Sequence, residues 1–346
     1  MRWQACLPMV GLGWVFVTGV SARAQGPVEA VKSFSAFPQI DLNRLLAGDI
    51  LDERGSLMSF PNGISGQTCF ATPRSAEETA KRLQVWDPSP HADLKVYAFR
   101  SLHVPCELSD FQQLDFSSSQ YPIRWLLDKT SASRSPESGL NLTRDEADGL
   151  ASCAQKRPGP QQAAACWMNL LFNRANKFQQ EGVAGVPPYK AAGEPVSPVA
   201  QLRTMLLERP EVVQEFSPLL RKIGLLGKET TPPSLTPFYY WTFFDADHHG
   251  TLSLGAVYLL PDHDHYQLAD VGYYVSGNYY TSITLYEVRP IQVGAQLGSL
   301  VWRGDYFAAP MLAFMKGTER IAYGALMLQD IKKEIRCFQD DLKARR

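Results

Sequence analysis

The chain has 346 residues, of which 45% are hydrophobic and 20% are charged. This composition is typical of a folded globular protein and excludes an intrinsically disordered chain. The formal charge is only −1, and no basic run is long enough to follow a phosphate backbone, so nucleic acid is not an expected partner.

The first 24 residues have the pattern of a signal peptide. A basic start at Arg2 precedes an uncharged apolar run over residues 7–20, and A-R-A at 22–24 offers the small residues that a signal peptidase recognises. The run is about 14 residues long, short of the roughly 20 that a membrane span needs. We therefore expect a cleaved signal peptide at 1–24, a secreted or periplasmic protein, and no transmembrane segment in the mature chain.

Five cysteines remain after cleavage, and an odd number outside the cytoplasm implies at most two bridges and one spare thiol. Cys153 and Cys166 flank a Pro-Gly-Pro turn between two predicted helices, which makes them the first predicted pair. Cys69 and Cys106 lie near predicted strand ends and are the second. The spacing of a zinc site, such as C-x-x-C, is missing from the sequence.

The first third of the mature chain predicts a mixture of helix and strand. Residues 40–47 read as a short helix or turn, followed by a β-rich stretch to Phe70. A helix then begins at Ser75, because Ser75 and Glu78 have the spacing of a capping box. Alternating residues over 94–104 predict the next strand.

Residues 141–225 predict a block of helices. Thr143 and Glu146 form a second capping box, and the Pro-Gly-Pro at 158–160 separates the first helix from a long second one. A proline-rich connector over 186–198 leads to shorter helices.

From residue 238 the apolar residues recur with a period of two, which predicts strands joined by short polar turns and hence an antiparallel meander. The predicted strands are roughly 238–244, 251–260, 267–275, 279–288 and 298–307, with one of the turns running from Pro290 to Gly294. A final helix over 319–343 carries apolar residues three and four apart, from Ile321 to Leu342. We expect this stripe to pack across the concave face of the sheet.

These elements resemble those of START-like helix-grip domains. The resemblance is carried by G-Q-T-C-F-A-T-P-R-S-A-E-E-T-A-K-R-L-Q-V-W-D at 66–87, where a strand turns into a helix, and by the meander with its long terminal helix. It implies a cavity for an apolar or amphipathic ligand. The expected fold class is therefore α+β, with a curved antiparallel sheet, a long C-terminal helix, and one START-like domain over 25–346 that contains the helical block at 141–225 as an insertion.

The mature chain also looks like a group of uncharacterised secreted bacterial proteins, which brings no active site with it. The shared patterns are L-x-x-G-D at 45–49, L-T-R-D-E at 142–146, V-P-P-Y at 186–189, F-Y-Y-W at 238–241, and G-N-Y-Y-T-S-I-T-L-Y at 277–286.

Two clusters of acidic and histidine residues have some features of metal sites. D-A-D-H-H-G-T-L-S at 245–253 begins like a calcium loop, but the twelfth position is Ala256 where such a loop needs a glutamate. A second cluster, Asp262 to His265, is separated from the first by a strand about 30 Å long. We interpret both as polar surface turns and expect neither a metal ion nor a cofactor.

The motifs of nucleophilic and metal-dependent hydrolases (G-x-S-x-G, a papain-like cysteine, H-E-x-x-H) are missing, so no catalytic residue is predicted. A cell-envelope enzyme of the hydrolase type remains an alternative, and it would use His91, Asp93 or the turn with His263 and His265. A structural or partner-binding protein, with a core filled by its own side chains, is another.

The aromatic residues of the meander give the leading prediction. Tyrosines on the inner wall of a sheet offer apolar area with a hydroxyl at one end, which suits an amphipathic ligand. The expected ligand-binding residues are Tyr258, Tyr274, Tyr280, Tyr286, Trp302 and Phe307. The predicted function is binding or transport of a hydrophobic or amphipathic, lipid-like small molecule beneath the C-terminal helix, which also allows transient contact with a membrane.

Overall fold

The computed structural model describes residues 26–156, 159–190, 195–227, 235–263 and 265–344. The predicted signal peptide at 1–24 lies outside the described residues. The strands are β1 (Leu51–Glu53), β2 (Gly63–Thr72), β3 (Val96–Ser101), β4 (Phe238–Ala246), β5 (His249–Asp262), β6 (His265–Val275), β7 (Thr281–Val293) and β8 (Gln296–Ala308). The helices are α1 (Pro27–Phe34), α2 (Leu42–Leu46), α3 (Ala76–Gln84), α4 (Tyr121–Ser131), α5 (Arg144–Lys156), α6 (Pro160–Glu181), α7 (Pro198–Leu207), α8 (Pro210–Glu215), α9 (Ser217–Lys222) and α10 (Thr318–Ala344).

These strands form one antiparallel sheet in the order β1-β2-β8-β7-β6-β5-β4-β3. The expected α+β class, with a curved antiparallel sheet and a long C-terminal helix, is confirmed. The meander from β4 to β8 is confirmed as well, because each of these strands pairs with the next along the chain. One predicted turn is wrong, since Pro290 pairs with Ser299 and β7 continues to Val293.

Helices cover both faces of the sheet. On one face, which we call the α10 face, α3 and α10 pack against Phe70, Leu268 and Val301. On the other, which we call the block face, α1 and α4 to α9 surround a larger core that includes Trp241 and Trp302. Helices α5 to α9 lie within the range predicted for the helical block.

The C-terminal helix packs on the sheet only along part of its length. Its buried apolar side chains begin at Leu328 and recur every three or four residues to Leu342. A Cβ atom on Gly66 of β2 would lie 2.8 Å from Leu328 Cδ2, so a glycine permits this close approach. Ile321, the expected start of the stripe, is exposed. The first turns of α10 instead pack against a small separate cluster that includes Ile64 of β2.

A β-bulge in β6 changes which tyrosines share a face. Leu254 pairs with Tyr274, but the next residue, Gly255, pairs with Gly272, so Tyr273 is an extra residue in β6. Tyr273 and Tyr274 are consequently both buried on the block face. The expected alternation across β6 fails at this point, because a bulge shifts the register of one strand against its neighbour.

Of the two predicted disulfides, one is formed. Cys153 of α5 and Cys166 of α6 are bridged, with Cα atoms 6.2 Å apart. The prediction of a bridge between Cys69 and Cys106 is wrong, because both are free thiols. Cys69 lies on β2 and Cys106 follows β3, and the sheet order places five strands between β2 and β3.

The predicted capping box at the start of α5 is confirmed. The Thr143 amide donates to Glu146 Oε2 (2.7 Å), and the Glu146 amide donates to Thr143 Oγ1 (3.2 Å). The Glu146 carboxylate also accepts from buried Arg174 of α6 (2.6 Å), whose guanidinium lies 4.1 Å from the ring centre of Tyr274. One carboxylate therefore caps α5 and helps to fasten the block to the sheet.

Candidate ligand-binding cavity

A cavity of about 940 Å³ lies between α10 and one end of the sheet. Residues 323–334 of α10 line it from one side, and the turn between β4 and β5 lines it from another. Asn278 and Tyr279, from the turn after β6, and Phe307 of β8 contribute to the same space. The cavity lies beside the N-terminal half of α10.

The turn between β4 and β5, which lines this region, is a tight two-residue hairpin. Ala246 pairs with His249, and the two residues between them, Asp247 and His248, have φ angles of 53° and 64°. Positive φ at both central positions is typical of type I′ turns, and aspartate and histidine tolerate it better than most residues. The prediction of a polar hairpin turn at 245–250 is confirmed.

Aromatic side chains form one wall of the cavity. The ring of Phe307 lies 5.4 Å from that of Tyr279 and 6.3 Å from that of Tyr323, measured between ring centres. Trp125 of α4 contacts His249 of the hairpin, with ring centres 4.3 Å apart. These rings give a ligand a broad apolar surface.

Charged side chains form another part of the lining, and carboxylates outnumber the amines. The acidic residues are Asp93, Asp245, Asp247, Asp330 and Glu334, and the basic residues are Lys95 and Lys333. Each lysine is already paired with a carboxylate of the lining: Lys95 with Asp245 (3.5 Å) and Lys333 with Asp330 (3.4 Å). The cavity therefore combines an aromatic wall with an excess of negative charge.

A buried ion-pair network lies beside the cavity and connects α10 to the sheet. Arg303 of β8 donates from Nε and Nη2 to Asp305 (2.8–3.1 Å) and from Nη2 to Glu334 of α10 (2.9 Å). The Arg303 guanidinium also lies 5.5 Å from the ring centre of Tyr286. This network fixes Glu334, and with it the middle of α10, relative to the sheet.

Asp270 of β6 is close to this network. Its carboxylate accepts a hydrogen bond from the Tyr240 hydroxyl (2.9 Å). Loss of solvent around the carboxyl raises the pKa of Asp270 to about 7; Glu334 and Asp305 add to this effect, and the Tyr240 hydrogen bond and Arg303 oppose it. Near neutral pH, the Asp270 carboxyl on the α10 face of the sheet can therefore gain or lose a proton.

The six expected ligand-binding residues do not share one wall. Phe307 lines the cavity, and Tyr286 is buried on the α10 face. Tyr258, Tyr274 and Trp302 are fully buried in the core of the block face, and Tyr280 packs against that core. The expectation that all six face a ligand is not met, because alternation and the bulge send these side chains to both faces of the sheet.

Other lining residues were missed by the sequence-based reasoning. Trp125 lies on α4, before the predicted block, and nothing in its local pattern indicates a position next to the β4–β5 hairpin. Tyr323 and Glu334 lie on the predicted terminal helix, and their spacing from the apolar stripe could have suggested a boundary position.

The residues of the alternative enzyme hypothesis are dispersed. His91 Nε2 contacts Asp341 of α10 (3.0 Å), which also accepts from Trp86 Nε1 (2.8 Å), so this histidine helps to fix its loop to α10. Asp93 lines the cavity. His263 is exposed on the β5–β6 turn, whereas His265 is mostly buried beside Glu287.

The fold and the cavity together define an α+β protein with a ligand-sized space between its sheet and its terminal helix. Comparisons with protein-family models, with curated proteins and with solved structures found no match to this chain. Among the helices of the described residues, none combines the length and the apolar character required to traverse a bilayer.

Proposed function

We propose that this protein binds an amphipathic small molecule in the cavity beneath α10, without chemical conversion. The observation that carries the proposal is the lining itself, in which an aromatic wall faces a set of carboxylates. The apolar part of a ligand would pack on Tyr279, Phe307 and Tyr323. A polar or cationic group would contact the acidic residues.

The size of the cavity supports this function. Ligand sites commonly enclose about 300–1,000 Å³ and combine apolar walls with a few polar groups. A volume of about 940 Å³ accommodates a lipid-like or drug-sized molecule.

The proposal includes a START-like helix-grip fold and a location outside the cytoplasm. The first is supported by the order of elements, since β2 leads into α3 and the meander leads into α10, and both helices cover the same face. The second is supported by the predicted signal peptide and by the Cys153–Cys166 bridge, because disulfides persist in oxidising compartments.

The test is to fill the cavity and measure binding of a fluorescent apolar probe, N-phenyl-1-naphthylamine. Ala246 lines the cavity, so Ala246→Trp should weaken binding at least fivefold. Ala322→Trp is the matched control, because Ala322 is exposed on α10 and is not part of the lining. Native mass spectrometry with organic extraction should recover a bound amphipath from the unmodified protein.

Two results would contradict the proposal. The first is an unmodified protein that takes up neither the probe nor any extractable amphipath. The second is equal probe affinity in both tryptophan variants, which would place the probe elsewhere.

A further inference from the structure

Far from the cavity, three side chains from three elements converge near the β5–β6 turn. They are Glu215 at the end of α8, His265 at the start of β6, and Glu287 in β7. One potential ligand atom of each lies within 4.8 Å of the other two. The hairpin that lines the cavity is at the other end of β5, a strand that spans roughly 40 Å.

The cluster extends from the surface into the core. The side chain of Glu215 is 29% exposed, that of His265 is 11% exposed, and that of Glu287 is fully buried. Neither oxygen of Glu287 accepts a hydrogen bond of good geometry, and its nearest partner is the guanidinium of Arg289. A buried carboxylate without hydrogen bonds is costly unless a compensating charge is close, so the site needs positive charge.

One arginine supplies part of that charge. Arg289 Nη2 lies 2.6 Å from Glu287 Oε1 and 3.1 Å from Glu215 Oε1. A single guanidinium cannot offset the charge of two carboxylates. A bound divalent cation would add positive charge, and it would take an imidazole lone pair of His265 in place of a proton. Glu287 Oε1 is the oxygen nearest both Arg289 Nη2 and His265 Nε2. A carboxylate oxygen has two lone pairs, so it can contact an arginine and a cation at once.

We propose that Glu215, His265 and Glu287 bind a divalent transition-metal ion of the Zn²⁺ class. An imidazole nitrogen with carboxylate oxygens is a donor set that suits such ions. His265 Nε2 and Glu287 Oε1 are 3.3 Å apart, close to the roughly 3.4 Å between two ligands at tetrahedral positions 2.1 Å from a zinc ion. Asp262 Oδ2, 3.7 Å from His265 Nε2, is available as a further ligand.

The position of the cluster indicates a structural role. The ligands come from β6 and β7 of the sheet and from α8 of the helical block, so a bound ion would connect the two layers. Glu215, the most exposed of the three, offers the ion a path from solvent. This site is independent of the proposed ligand cavity.

The test uses the purified protein after treatment with EDTA, titrated with ZnCl₂ by calorimetry and followed by thermal unfolding. We expect one Zn²⁺ per chain and a rise of several degrees in Tm. His265→Asn should weaken Zn²⁺ binding at least tenfold and remove the rise in Tm. His263→Asn is the matched control, because His263 is 95% exposed on the same turn, and it should bind as the unmodified protein does.

Glu287→Gln provides a second test that keeps the shape of the side chain and removes its charge. Glu287→Gln should also weaken Zn²⁺ binding at least tenfold. It provides the test of the site if the His265→Asn variant does not fold. The proposal is overturned if the unmodified protein binds no stoichiometric Zn²⁺. Equal affinity in the unmodified protein and in either ligand variant would overturn it as well.

Discussion

At the scale of single residues, Asp270 is the carboxyl group near the cavity whose ionisation depends most on the fold. Its pKa is raised to about 7, mainly by loss of solvent, from about 3.9 in an unfolded chain. Between these two values the folded protein holds a proton that the unfolded chain releases. The contribution of Asp270 to the free energy of unfolding is therefore fully present below about pH 4, and it is lost as the pH rises through about 7.

We predict that Asp270→Asn removes this part of the pH dependence. The urea midpoint of the unmodified protein should fall relative to that of the variant between pH 4.5 and pH 7.5. The groups that surround Asp270, namely Tyr240, Arg303, Asp305 and Glu334, are unchanged in the variant. Asp330→Asn is the control, because the Asp330 side chain is 79% exposed, and it should follow the unmodified protein. Parallel pH profiles for Asp270→Asn and the unmodified protein would contradict the prediction.

At the scale of elements, α10 has two parts with different structural roles. From Leu328 onward its apolar side chains form a core with the sheet, whereas Tyr323 and Leu326 line the cavity. The Arg303–Glu334 ion pair lies where these two parts overlap. The C-terminal part of the helix is therefore held in place by the sheet, whereas its N-terminal half borders the cavity.

We predict that the two parts of α10 differ in their contribution to stability. Ile335→Ala removes a buried side chain and should lower the free energy of unfolding by about 3 kcal/mol. Leu326→Ala removes an exposed side chain and should cost less than about 0.5 kcal/mol. Urea unfolding at one fixed pH measures both values. Equal losses would mean that the first turns of α10 are as tightly packed as the rest.

At the scale of the whole molecule, the helical block and the sheet share one core. Phe178 of α6 stacks on Tyr273 of β6, with ring centres 3.7 Å apart. Arg174 of the same helix covers Tyr274. A block that was joined to the sheet only by its connectors would not bury large side chains of both.

We predict that the block and the sheet unfold together. The most protected amides of α6 and β6 should have the same free energy of opening, as measured by hydrogen exchange. This free energy should also depend on urea concentration in the same way in both elements. A lower value for α6 alone would show that the block is an independent unit, contrary to the single domain predicted from the sequence.

The sequence by itself determined the elements that depend on neighbouring residues. Ser75 and Thr143 identify helix starts, because a cap is set within four residues. The period-two pattern after residue 238 predicts the meander, because its turns are too short for any other pairing. Cys153 and Cys166 were predictable for the same reason, since they are 13 residues apart and lie on either side of the Pro-Gly-Pro at 158–160.

Only the tertiary structure decided which side chains meet. A bulge at Tyr273 moved Tyr274 to the block face, and a single strand pattern cannot show a shift that arises between two strands. The sequence predicts that His265 lies in a surface turn, yet its side chain is only 11% exposed and β7 brings Glu287 to within 3.3 Å of it. The physical reason is that periodicity determines which residues of one element share a face, whereas the packing of distant elements determines what covers that face.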